Sequence, residues 1–145
     1  MPLQGEYQKS AFEAVNDQVA LYEATDGREG GELQGKPCVI LWTRGRKTGA
    51  LRKAPLMTVK HSDQYAVVAS FGGAPTHPVW YLNLLADPQV SLQDGAELRD
   101  YTARVVDGTE RAEWWARANE NWPAYDTYQE RTERVIPVVV LDPID

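Results

Sequence analysis

Asp94-Gly95 separates two runs that read as strands, residues 89–93 and 97–106. Glycine takes the positive φ that a two-residue hairpin demands, so an Asp-Gly pair at this place predicts a tight antiparallel turn. Strands joined this closely cannot be parallel neighbours, which argues against an array of β-α-β units. His61-Ser62-Asp63-Gln64 is a second tight connection, between runs at 51–60 and 65–70. Residues 37–43 and 135–141 are β-branched and aromatic enough to be buried strands, and Pro55 assigns its part of the 51–60 strand to an edge or a bulge.

Helical signals fill the gaps. Ser10-Ala11-Phe12-Glu13 has the form of a capping box, and Phe12, Val15, Val19 and Tyr22 recur at helical spacing before Asp26-Gly27. Gly30, Gly31 and Gly35 mark a loop. A short helix is expected over 79–86, ended by Asp87-Pro88; two more cover 109–121 and 124–132, parted by Pro123. The order is helix, three strands, helix, two strands, two helices, strand. This predicts an α+β fold of about six mostly antiparallel strands, curled toward a barrel with flanking helices. Residues 1–145 form one unit, with an N-terminal helix and loop over 1–34 and the barrel over 35–145.

Charge narrows the ligand. The formal net charge is −6, which disfavours a nucleic-acid partner or an anionic membrane. Yet five of the 15 basic residues, Arg44, Arg46, Lys47, Arg52 and Lys53, fall within ten positions that hold no acid. A compact positive spot on an acidic protein suits a small polyanion. No apolar run approaches the roughly 20 residues of a membrane span. Met1 to Ser10 lacks the form of a signal peptide, and the lone Cys38 fits a reducing compartment, so a cytoplasmic location is expected.

Three stretches can carry chemistry. In Thr43-Arg44-Gly45-Arg46-Lys47-Thr48-Gly49 the glycines allow a turn whose amides cradle an anion, with Arg46, Lys47 and Thr48 adding charge and a hydroxyl. Arg52 and Lys53 follow where the returning strand can bring one of them beside the turn. A solvated basic hairpin is the plainer alternative. The second stretch, Ala69-Ser70-Phe71-Gly72-Gly73-Ala74-Pro75, is a strand ending in exposed backbone, suited to the edge of a planar heterocycle, and Trp80 and Leu84 share a face of the helix after it. Third, Trp122, Tyr125 and Tyr128 line one side of a helical segment, as core or as pocket. No metal set, no Gly-x-Ser-x-Gly elbow and no dinucleotide fingerprint is present in the sequence.

In these stretches, together with Pro55-Leu56, His77-Pro78, Trp80-Tyr81-Leu82-Asn83-Leu84, Tyr125-Tyr128-Gln129-Arg131-Thr132 and Ile136-Pro137-Val138-Val139, the sequence resembles the deazaflavin-dependent nitroreductases, also called F420H2-dependent quinone reductases. The resemblance implies a split β-barrel that binds coenzyme F420, an 8-hydroxy-5-deazaflavin with a polyanionic tail. It implies that Arg46, Lys47, Thr48 and the run Arg52, Lys53, Ala54, Pro55, Leu56 and Met57 hold the tail. Val68, Ala69, Ser70 and Phe71, with Val79, Trp80, Tyr81, Leu82 and Asn83, would surround the ring. Tyr125 would stand over the active site as a cofactor-contacting and catalytic residue, with Tyr128 its catalytic neighbour. Phe71 stands where some members carry a basic residue, and Trp122 where a tyrosine can stand.

The expected activity is hydride transfer from reduced coenzyme F420 to a small-molecule acceptor such as a quinone, an enone or a nitro compound, without metal, by a monomer or homodimer. An FMN-binding split-barrel flavoprotein and a non-catalytic deazaflavin carrier are the rival readings. The acidic residues among 1–32, Glu6, Glu13, Asp17, Glu23, Asp26, Glu29 and Glu32 against Lys9 and Arg28, make a poor anionic-membrane anchor.

Overall fold

A computed structural model describes residues 2–144. Among the described residues eight strands form one sheet: β1 (Glu32–Leu33), β2 (Lys36–Arg44), β3 (Leu51–Met57), β4 (Val59–His61), β5 (Gln64–Val68), β6 (Gln89–Asp94), β7 (Glu97–Val106) and β8 (Val138–Pro143). Four α-helices join them: α1 (Glu13–Thr25), α2 (Val79–Ala86), α3 (Gly108–Asn121) and α4 (Ala124–Glu130). The sheet order is β1-β2-β6-β7-β8-β5-β4, with β3 on β2, and every strand pair is antiparallel.

Two margins of this sheet are tied covalently. β3 lies on β2 and β4 lies on β5, yet Thr58 alone separates β3 from β4. The chain thus bends from one margin of the sheet to the other and closes it into a split barrel. The 51–60 run is therefore two strands, not the one expected. Pro55 sits in β3 opposite Ile40 of β2, in the edge position its missing N–H requires.

Period-2 alternation explains the apolar runs. Val39, Leu41, Val139 and Leu141 point into the barrel with Tyr65, Val67, Leu92 and Tyr101. Their neighbours Cys38 and Ile40 pack outward on Val19 and Tyr22 of α1, while Val138 and Val140 pack on Trp114 of α3. Strands covered on both faces read as continuous hydrophobic sequence. Tyr81 and Leu84 of α2, a helix whose limits match the expected 79–86, join the inner core.

Four details depart from expectation. Ser10 does not cap α1: Phe12 holds the N-cap position, while the Asn16 amide takes both backbone groups of Ser10 at 2.8 Å. Phe12 itself is 70% exposed. The Gly30–Gly35 loop hides a hairpin, β1 to β2, turned by Gln34 and Gly35 at φ 51 and 80. The strand expected over 65–70 stops at Val68, and Gly72 and Gly73 belong to a 3-10 turn, Phe71–Gly73. Finally, β8 starts three residues late, because Gln129 binds both the Arg134 carbonyl and the Ile136 N–H and Pro137 has no N–H to donate. Among the described residues no helix is long and apolar enough to cross a membrane.

Candidate active site

The β2–β3 turn is built to stay open. Gly45 N–H donates to the Ala50 carbonyl at 2.7 Å and Gly49 N–H to the Gly45 carbonyl at 2.8 Å, with Gly49 at φ 75. These bonds close the loop at its base and leave Arg46, Lys47 and Thr48 exposed at the tip. Beneath it lies Asn83 of α2, only 2% exposed. Its Oδ1 accepts the Arg46 N–H and its Nδ2 donates to Thr43 Oγ1, both at 3.1 Å. Arg52 reaches the same place from β3, and with Gln8 and Val79 these groups line a basic chamber of about 220 Å³. Arg46, Lys47 and Arg52 make no ion pair among the described residues.

Lys53 does not join them. Adjacent strand residues face opposite ways, and its Nζ is bound to Glu23 at 2.6 Å, over the rings of Tyr7 and Trp42. It borders instead a middle chamber of about 460 Å³, lined largely by apolar groups such as Val15, Leu33, Ala54, Leu56, Val79 and Trp80. Arg52, Val79 and Asn83 border both this chamber and the basic one.

A third chamber, about 290 Å³, shares Leu33, Pro55, Leu56, Phe71, Pro78 and Trp80 with the middle one. Its far wall is Met57, Val68 and Ser70 with Trp122, Tyr125 and Tyr128. The three chambers thus form one groove, basic at one end, apolar in the middle and tyrosine-lined at the other. Tyr125 is 6% exposed, and burial, followed by the neighbouring Tyr128, pushes its hydroxyl up to about 12. That hydroxyl has no hydrogen-bond partner among the described residues. Tyr128 Oη accepts the Trp122 indole N–H at 3.3 Å, which leaves its own proton free to be given.

Three of the residues named from sequence lie away from the groove. Ala69, Tyr81 and Leu82 turn into the barrel core, because strand and helix periodicity puts the neighbours of Ser70 and Trp80 on the other face. Conversely, no motif in the sequence marks Gln8, Phe12, Val15, Gln18, Leu33 or Gln34 as wall residues, yet they line the chambers. They come before residue 35, and only the tertiary path of α1 and the β1–β2 hairpin brings them there. Nor does any motif single out Arg134, which grips the 69–77 loop from behind. Among the described residues no group of three or more His, Cys, Asp or Glu could hold a metal ion.

The sequence profile of a family described as F420H(2)-dependent quinone reductase matches residues 14–143. A quinone reductase of that description from Mycobacterium tuberculosis (strain ATCC 25618 / H37Rv) is 41% identical over 126 residues, 84% of this chain and 85% of its own length. Among solved structures, an F420-H2 dependent reductase (FDR-A) shares 48% identity at a TM-score of 0.69, over 73% of this chain and 94% of that one. Another, described as a domain-swapped dimer, shares 42% identity at a TM-score of 0.72, over 88% and 93% of the two chains.

Proposed function

The chain belongs to the F420H(2)-dependent quinone reductase family, and from that premise we propose that the groove holds coenzyme F420 lengthwise. The protein is an oxidoreductase dependent on reduced coenzyme F420. The graded groove is the observation that supports the lengthwise placement: an anionic tail matches Arg46, Lys47 and Arg52, and a planar head matches the aromatic walls. The donor set fits the cofactor, since three unpaired cations around a turn have no evident structural task.

When bound, the reduced cofactor supplies a hydride to the acceptor. The chain's own groups do the rest. Lys47, Arg46 and Arg52 hold tail oxyanions, and Asn83 fixes the backbone from which Arg46 projects. Trp80, Leu56 and Phe71 flank the head and displace water. The acceptor, a quinone, an activated enone or a nitro compound, gains negative charge on oxygen as it is reduced. Tyr125 stays protonated at any ordinary pH, because its burial disfavours the phenolate. Its hydroxyl donates to that oxygen, and Tyr128 is the second donor.

A binding titration comparing coenzyme F420, FMN and nicotinamide nucleotides tests the assignment. Coenzyme F420 should bind tightest, and Lys47→Ala or Arg52→Ala should each cost about 1.5–3 kcal/mol, the range for charged hydrogen bonds. Preferred binding of FMN, or unchanged coenzyme affinity in both folded variants, would overturn it.

A further inference from the structure

Arg134 lies outside the groove, half-buried, and every hydrogen bond of its guanidinium goes to one loop. Its Nη2 donates to the Ser70 carbonyl at 2.7 Å, Nη1 to the Ala69 carbonyl at 3.1 Å and Nε to the Ala74 carbonyl at 2.8 Å. Nη1 also lies 3.1 Å from His77 Nδ1. Arginine has no lone pair to offer, so this imidazole nitrogen is the acceptor. Burial and the guanidinium both hold His77 below its usual pKa, in the neutral form that contact requires. No carboxylate lies within ion-pair distance of Arg134 among the described residues.

The loop it grips is one that needs gripping. Ser70 is right-handed helical, but Phe71, Gly72 and Gly73 follow at φ 47, 64 and 82. A left-handed phenylalanine is strained, because its Cβ crowds the following carbonyl, and a right-handed residue followed by left-handed ones turns successive N–H groups toward one concavity. The N–H groups of Ser70 and Phe71 donate to nothing among the described residues.

Those two N–H groups and the two carbonyls that Nη1 and Nη2 bind belong to the same peptide units, Ala69–Ser70 and Ser70–Phe71. In a trans peptide the N–H and C=O point in opposite directions, and no cis bond occurs among the described residues. Anchoring both carbonyls on the cation therefore aims both N–H groups away from it, while Ser70, Phe71 and Gly72 line the tyrosine end of the groove. A hydrogen bond at one end of a peptide unit also polarises the other end.

We propose that Arg134 is a positioning residue of the reductase, which holds the Ala69–Ser70 and Ser70–Phe71 peptides so that their N–H groups, polarised by its charge, receive negative charge on the ring edge of the bound cofactor. This rests on the reading that the groove holds coenzyme F420. The charge has a specific origin. Ionisation of the 8-hydroxyl spreads through the conjugated ring to its carbonyl edge, and so does the charge of the hydride-donating form. Stabilising that edge lowers the pH at which the bound chromophore ionises.

The test is an absorbance titration of oxidised coenzyme F420 bound to wild type, Arg134→Lys and Arg134→Gln, with the melting temperature of each. Arg134→Gln should move the ionisation of the bound chromophore to higher pH by about one unit, a factor of ten in its acid constant. Arg134→Lys keeps the charge but not the planar fork, and should fall between the two. If Arg134→Gln does not fold, Arg134→Lys alone decides, by a shift in the same direction. Lower melting temperatures with the chromophore titrating as in wild type would overturn the proposal and make Arg134 a loop brace only. Failure of the wild-type protein to bind coenzyme F420 would instead overturn the reading of the groove.

Discussion

Asn83→Leu separates the shape of the basic turn from its charge. Leucine has the same branched heavy-atom outline, with more bulk, but offers no acceptor to the Arg46 N–H and no donor to Thr43, itself 1% exposed. Stranding the amide costs about 1–3 kcal/mol and losing the Thr43 bond about 1, so a total of roughly 2–4 kcal/mol is expected. For a chain of this size that is a fall in melting temperature of roughly 5–15 °C. Coenzyme affinity should fall as well, since Arg46 no longer projects from a fixed backbone. Its salt dependence should not change, because every cation is still there. Plotted as log Kd against log salt, Asn83→Leu shifts the line without tilting it, whereas Lys47→Ala flattens it by removing a counter-charge. The assays are thermal denaturation and fluorescence titration at several salt concentrations. A flattened line for Asn83→Leu, or a melting point within 2 °C of wild type by this reckoning, would refute the idea that this amide preorganises the turn.

Tyr125→Phe and Tyr128→Phe keep the rings and remove the donors, so turnover should drop, by roughly 10²–10⁴-fold for the true general acid, with coenzyme affinity little changed; equal rates in both variants would assign the proton to another group. Gly73→Ala should destabilise far more than Gly49→Ala: both have positive φ, but a Cβ on Gly73 would lie 2.7 Å from the Tyr128 carbonyl, while Gly49 faces open space, a difference that chemical denaturation reads. Asp142 is held below the usual carboxylate range by hydrogen bonds from Arg104 and, with smaller effect, Gln64. A depressed carboxyl stabilises the fold above its unfolded pKa, about 4, and loses that contribution as the pH falls through its lower folded value. Wild type should thus lose more stability than Asp142→Asn on going from neutral pH to pH about 3, measured by urea unfolding.

Much of the frame was legible because its signals are local. Pro78 and Asp87-Pro88 bracket α2, and Asp94-Gly95 turns β6 into β7, so these limits fall where the sequence puts them. The strands buried on both faces announce themselves as unbroken apolar runs. Local signals fail where a residue's task is set by something distant. Nothing in the chain around Thr58 says that one strand there serves two margins of a sheet. Gln34 is an ordinary polar residue until β1 folds back on β2 and forces it to positive φ. The alternation of strand residues predicts that only one of Arg52 and Lys53 joins the basic turn, but the choice depends on register and on Glu23, 30 residues away. Arg134 is the extreme case. Three of its partners are carbonyl oxygens, which every residue has, so no side-chain pattern could mark them.

The place of β8 bears on how such a chain can be made. It is the last of the described strands along the chain, yet it lies inside the sheet, between β7 and β5. Until residues 138–143 have left the ribosome, β5 and β7 each present an unpaired edge, and Val67, Ala66 and Ala103 lack the neighbours that cover them. The earlier hairpins can form as they emerge, but they cannot assemble into the barrel. Closure of the sheet therefore waits for β8, and until it pairs the nascent chain carries the exposed strand edges on which chains aggregate. The same wait delays the grip of Arg134, four residues ahead of β8, so the reductase groove is completed with the fold's last strand and not before it.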